Sequence, residues 1–426
     1  MICIDCVTPA PLKALISTHE KKHPCKFCGI DNAAIEPKVL FDYILDRIAE
    51  NTATEDELSS SEYWMLFEGG SDEIALEFLD IVLSEWAGLG DEPYFDELYE
   101  YAPKEFKVNS RGMDRHFFAD NGLLESNSYE AAWHKFTLDV RHSHRFFNPD
   151  AKAFLDSVFS FMAAEGDMLK PECTRVISKG EPLYRARSAS DYQGVKKIAK
   201  SPASELGATP KTKASSQRMT PNGISAIYCA LERETCLSEI RAITGDNVVS
   251  IAMTPVNTLK FLDLTKLDQV EAPARTLLDE GCRDTQNLKA FVASLVKKMS
   301  KPKGRNDELS YLSTQVVFEY LRFRFGSQVN GLVFPSVQTG EKGTNVVLFP
   351  EASVVSEKNY RDMPFYQAPA PAAGGFEGDL DQDAEEPFEA GDMLYCVSGS
   401  LRFHRVTAIE TKADEYTHIG SLFMAN

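Results

Sequence analysis

A chain of 426 residues is long enough for two or three domains, each burying its own core. With 43% hydrophobic and 26% charged residues it reads as a soluble globular protein, and a formal net charge of -19 argues against broad attraction to nucleic acid or anionic lipid, leaving room only for local basic patches. No apolar run approaches the roughly 20 residues that span a bilayer, and no basic segment precedes an apolar core at the N-terminus, so a cytoplasmic protein without membrane partners is expected.

Residues 1–32 are expected to form a zinc-binding knuckle. Cys3, Cys6, Cys25 and Cys28 make two Cys-x-x-Cys pairs with 18 residues between them, a spacing that lets each pair supply two thiolates to one tetrahedral ion. Four thiolates close the coordination sphere, so such an ion holds the fold and does no chemistry. His19 and His23 lie between the pairs and read as solvated loop residues, with replacement of one cysteine as the alternative. The total of nine cysteines is odd, which does not suit a secreted disulfide framework. The scattered Cys173, Cys229, Cys236, Cys282 and Cys396 read as small buried hydrophobes.

Across 33–168 the apolar spacing is helical and an all-helical domain is expected. Leu40, Tyr43, Ile44 and Ile48 share one stripe, Ile74 to Val82 reads as a more fully buried segment, and Phe136, Val140 and Phe146 recur near helical spacing. Leu155, Val158, Phe159 and Met162 mark a further inner face. Within this stretch Arg111 and His116 fit an Arg-x4-6-His pattern.

After Pro171 the period shortens to strands and turns, and an α+β layer arrangement is expected over 172–362. Residues 246–264 alternate as a hairpin-like strand pair. Helices follow at about 284–299 and 307–325, the second placing Leu309, Leu312, Val316, Phe318 and Tyr320 on the sheet, and strands at 331–335 and 345–349 complete the region. The stretch 363–391, rich in Pro, Gly, Ala and then acids, reads as a loop or linker. Within 392–426, two strands around a turn at Gly399 are expected to pair back onto the same sheet.

Charged and hydroxyl residues punctuate the strand ends of this region. Arg185 and Arg187 share one face of a strand, where a guanidinium can present its planar fork to phosphate oxygens, and the sequence does not choose between them. Arg218 precedes a Pro-Asn-Gly turn. Tyr228 offers a ring that can stack on a flat heterocycle. Glu239 stands in an apolar helix-like segment, where a carboxylate requires a partner or a ligand; Glu232 and Glu234 read as solvated. Ser336 closes one strand and Asn345 opens the next.

Taken in order, the runs Leu-Tyr-Arg-Ala-Arg, Gly-Ile-Ser-Ala-Ile-Tyr to Glu-Thr-Cys-Leu-Ser-Glu, and Gly-Leu-Val-Phe-Pro-Ser followed by Asn-Val-Val-Leu-Phe resemble the RES domain, the toxin component of many bacterial toxin-antitoxin pairs. The resemblance runs from about Leu183 to Phe349. It implies a fold similar to ADP-ribosyltransferases and an enzyme that degrades NAD by cleaving its nicotinamide-ribose bond, as a glycohydrolase or phosphorylase. By motif, the family's catalytic arginine, glutamate and serine correspond to Arg185, Glu239 and Ser336, with Tyr228 and Asn345 as substrate-binding neighbours; Arg187 and Arg218 are further substrate-binding candidates. A neutralising protein antitoxin is implied as partner. The helical extension resembles a HEPN-like domain, and 265–310 reads as an insertion between the central strands. The alternative functions are protein ADP-ribosylation from NAD, a HEPN-type ribonuclease using Arg111 and His116, and a zinc-dependent module that binds nucleic acid or a partner.

Overall fold

The computed structural model describes residues 1–19, 22–67, 74–267, 276–300, 309–340, 342–360 and 386–408. The acidic part of the 363–391 linker lies outside the described residues up to 385, as does the C-terminal segment beyond 408. No helix among the described residues is long and apolar enough to cross a membrane. The chain forms two compact units, Met1–Glu172 with Lys266–Met299, and Cys173–Thr265 with Ser300–Asn426.

In the first unit, strands β1 (Ile2–Cys3), β2 (Lys22–Pro24) and β3 (Asp31–Ile35) form a small sheet in the order β1-β3-β2. Proline starts the helix Pro37–Asn51, where its missing N–H costs nothing. That helix buries Leu40, Phe41, Ile44, Leu45 and Ile48 along one stripe. The helices Ser128–His142 and Pro149–Phe159 are capped by the side chains of Asn127 and Asn148, which accept from Tyr129 N and Ala151 N at 3.0 and 2.9 Å.

Two expectations for this unit change. It is not all helical: β4 (Ala53–Thr54), β5 (Leu76–Glu77) and β6 (Phe117–Phe118) pair in the order β4-β6-β5. The two phenylalanines of β6 are buried on successive positions, which a helical period could not distinguish from a short fully buried strand. Phe146 does not join the helical stripe, because the helix ends at His142 and Phe146 is 76% exposed. The segment read as an insertion between central strands belongs largely to this unit. Its helix Cys282–Ser300 carries Phe291, which packs on Trp133 and Phe154 at ring separations of 6.2 and 5.9 Å, and Arg283 pairs with the buried Asp120 at 2.7 Å.

The second unit is built on a ten-stranded sheet. Its strands are β7 (Thr174–Ile177), β8 (Leu183–Ala189), β9 (Tyr228–Ala230), β10 (Asn247–Pro255), β11 (Leu259–Asp263), β12 (Gly331–Ser336), β13 (Gly343–Leu348), β14 (Val355–Ser356), β15 (Leu394–Cys396) and β16 (Arg402–Arg405). They run in the order β14-β15-β10-β8-β9-β13-β12-β11-β7, with β16 also on β10. The two C-terminal strands, β15 and β16, both pair with β10. The expected hairpin at 246–264 is not found. β10 is buried at every position after Asn247 and pairs with β8, β15 and β16, whereas β11 pairs with β7 and β12. Alternation showed two strands there but could not say that both edges of each were already taken.

The helix Leu312–Phe325 buries Phe318 and Tyr320 as expected, together with Val317, Leu321 and Phe325, whereas Leu312 and Val316 are half-buried and Leu309 precedes the helix. Burial of each such large side chain contributes roughly 1.5–3 kcal/mol. One seam of the sheet is thin: β8 and β9 share a single register pair, Tyr184 with Ala230. The sheet opens beside that pair.

Candidate functional site

A cavity of about 410 Å³ lies at this opening, within the usual range for small-molecule sites. Tyr184, Arg185, Arg218, Tyr228, Glu239 and Asn345 are among its lining residues. Arg185 stands on β8 opposite Ile251 of β10 and reaches across the seam, its Nη1 donating to Tyr228 O at 2.7 Å. Among the described residues no carboxylate pairs with it. Loss of hydration lowers its pKa from the ordinary guanidinium value, only partly offset by the nearby Cys229, Cys236 and Tyr228. A cation in that position has unspent capacity for an anion.

Glu239 ends the short helix Arg233–Glu239. Ser336 and Asn345 reach it because they lie close together on adjacent strands. Asn345 pairs with Phe334 and Ser336 with Gly343, so both side chains leave the same face of the sheet. Ser336 Oγ donates to Glu239 Oε1 at 2.6 Å and Asn345 Nδ2 donates to the same oxygen at 2.7 Å. Glu239 Oε2 has Arg218 Nη2 at 3.9 Å, beyond hydrogen-bond range. One carboxylate oxygen is therefore clamped, and Ser336, fully buried, acts on the carboxylate.

The helix itself is fixed against β13. Gly343 lacks the Cβ that would overlap the Thr235 side chain. Glu232, expected to be solvated, accepts from Thr235 Oγ1 and from Thr344 N, each at 2.9 Å, and so ties the start of the helix to the same strand. Glu234 is exposed as expected.

Arg218 sits on the loop before β9 with its side chain 11% exposed, and its buried Nε has no hydrogen-bond partner among the described residues. The helix Leu312–Phe325 holds that loop through two buried polar residues that the sequence reading passed over. Gln315 Nε2 donates to Ser216 Oγ, Gln217 O and Thr220 O at 2.9, 2.7 and 3.2 Å, and Thr314 Oγ1 donates to Arg218 O at 2.8 Å. A glutamine facing inward in the first turns of an apolar helix was the available signal. The Tyr228 hydroxyl accepts from Met219 N at 3.1 Å and lies 3.3 Å from Thr220 Oγ1, anchoring the same loop. Burial raises its pKa.

Two cysteines line this cavity, but neither suits a nucleophilic role. Burial pushes the Cys229 thiol up to about 11 and the Cys236 thiol up to about 12, so both stay protonated at neutral pH. All five scattered cysteines are buried, as expected. Arg187 stays out of this cavity: it is exposed and pairs with Glu205 at 2.9 Å.

In the first unit, the sulfurs of Cys3, Cys6, Cys25 and Cys28 all lie within 4.8 Å of one another. Cys3 and Cys28 are 3.5 Å apart and Cys6 and Cys25 3.7 Å. Tetrahedral zinc with bonds of about 2.3 Å places its sulfurs roughly 3.8 Å apart, so the four thiols fit the ion. Cys3 N donates to Cys25 Sγ at 3.4 Å, and Gly29, at φ +74°, makes the turn that lets Gly29 N bond to Cys25 O at 2.9 Å. Burial opposes a Cys25 thiolate, but the backbone N–H groups of Cys28, Phe27 and Cys3 outweigh it and bring the thiol down to about 6. His19 and His23 are not in this cluster.

The family model of the RES domain matches residues 182–366. No curated protein matches the chain.

Proposed function

From the premise that residues 182–366 are a RES domain, we propose that this chain is an NAD-degrading enzyme that breaks the nicotinamide-ribose bond. The observation that carries this reading is the pairing, in one cavity, of a carboxylate with one oxygen clamped and an arginine that has no carboxylate partner among the described residues. In this reading Arg185 holds the pyrophosphate, with Arg218 beside it. The Tyr228 ring packs near the nicotinamide.

Glu239 Oε2 accepts a ribose hydroxyl, and its negative charge stabilises the oxocarbenium-like transition state. Ser336 and Asn345 keep the carboxylate in place through Oε1. As the bond breaks, its electron pair returns to the pyridinium nitrogen and nicotinamide leaves neutral. Water then adds to the ribose carbon and releases one proton, giving ADP-ribose. Phosphate as acceptor would give a phosphorylated ADP-ribose, and a protein side chain would give ADP-ribosylation. Incubating purified protein with NAD, with and without phosphate, and resolving the products by mass tests reaction and acceptor together. Nicotinamide release is expected; intact NAD after hours sinks the reading.

The four N-terminal thiolates would hold a structural zinc ion. One zinc per chain and a lowered melting temperature on chelation are expected. Metal-free protein with unchanged circular dichroism after chelation would reject that assignment.

A further inference from the structure

A second cavity of about 370 Å³ shares Arg185 and Ala186 with the first. Arg187, Lys197 and Lys213 line it together with Arg185, and Glu205 is the carboxylate among its lining residues. Four cations against one carboxylate is a steep local excess in a chain whose net charge is -19. Distant acidic groups are screened over about 10 Å at 0.1 M salt, whereas cations lining the cavity act at contact distance. The local cluster therefore sets the field felt by an anion.

The cations are arranged by the fold. Arg185 and Arg187 are two positions apart on β8, opposite the buried Ile251 and Val249, so they leave the same face. Glu205, on the short helix Pro202–Leu206, splits its oxygens between two of them: Oε1 pairs with Lys197 at 2.7 Å and Oε2 with Arg187 at 2.9 Å. Arg187 Nη1 also donates to Glu205 O at 3.0 Å. Lys197 and Arg187 are otherwise exposed, with side-chain exposures of 71% and 54%. Tying both to one carboxylate reduces the rotamer entropy that an arriving anion would have to remove. The chain turns tightly just after this helix, at Gly207, where a Cβ would overlap Ala203 O.

We propose that this cavity is an anion subsite for the adenosine-phosphate half of a dinucleotide, with Arg185 at the junction of the two halves. The proposal rests on the NAD-cleaving reading and adds that the enzyme selects a dinucleotide over a nicotinamide mononucleotide.

The test compares kcat/KM for NAD and for nicotinamide mononucleotide in the wild type and in the Lys197→Glu/Lys213→Glu variant. The wild type should prefer NAD by about tenfold or more, equivalent to about 1.4 kcal/mol, and the variant should approach parity. Lys213→Glu alone, on an exposed turn, should lose part of that preference and guards against misfolding of the double variant. Cleavage of both substrates by wild type with no preference, or a preference unchanged in the variants, overturns the subsite while leaving NAD cleavage intact. If the wild type cleaves neither, the cleavage reading has failed, and calorimetric titration with ADP decides the subsite separately. ADP binding weakened about tenfold in the double variant supports it; absent or equal binding overturns it.

Discussion

Two cavities in this molecule contain arginine, carboxylate and aromatic groups, and they differ in what those groups have left to offer. In the first unit a cavity of about 250 Å³ is lined by Glu55, Asp56, Tyr63, Phe78, Arg111 and His116, among others. Its polar groups largely satisfy one another. Glu55 accepts from Asn109 Nδ2 at 2.7 Å and from His116 N at 3.0 Å, and Asp56 accepts from Arg115 at 3.0 Å and Ser110 at 3.2 Å. Arg111 lies over the Tyr63 ring at 5.4 Å, and the His116 ring packs on Phe78 at 4.6 Å. Among the described residues of the second unit, by contrast, no carboxylate pairs with Arg185, Arg218 Nε has no partner and Glu239 has one oxygen outside the clamp. Polar groups that have satisfied each other hold a fold together, whereas convergent groups with capacity to spare can bind and polarise a ligand.

That contrast can be broken by substitution. Glu239→Gln keeps an acceptor for Ser336 and Asn345 but removes the charge, so kcat on NAD should fall by on the order of 10²–10³ with little change in melting temperature. A variant with near-parental turnover would remove Glu239 from the chemistry. Gln315→Ala releases three bonds to the Arg218 loop; steady-state kinetics should show KM for NAD rising about tenfold, and a loss confined to thermal stability would make Gln315 purely structural. Ser336→Ala removes one of two donors to Oε1. It should lower kcat several-fold at nearly constant KM and cost about 1 kcal/mol of stability by denaturant unfolding. The smallest effect is expected from Arg111→Ala/His116→Ala, which should leave NAD turnover within twofold. Ribonuclease activity in the parent that this pair abolishes would instead favour the HEPN-type alternative.

The residues explain which features could be read from the sequence. The Cys-x-x-Cys pairs could be read because ligand spacing within each pair is a local property. Glu239, Ser336 and Asn345 were singled out one by one, but their convergence on a single oxygen depends on the β12–β13 register and on a helix placed by Gly343 and Glu232. Which of Arg185 and Arg187 lines the first cavity could not be read from a strand face they share. It follows from the seam beside Tyr184 and from Glu205, a partner on another helix. The pairing of β10 and β11 was misread for the same reason, since periodicity reports the faces of a strand and not its neighbours.

The most direct measurement is nicotinamide release from NAD by purified wild-type protein and by Glu239→Gln, followed by mass analysis of the remaining ribose-containing product. Stoichiometric nicotinamide and an ADP-ribosyl product are expected from the wild type, with release near background in the variant. Intact NAD with the wild type, or equal release by both proteins, would contradict cleavage of NAD through Glu239.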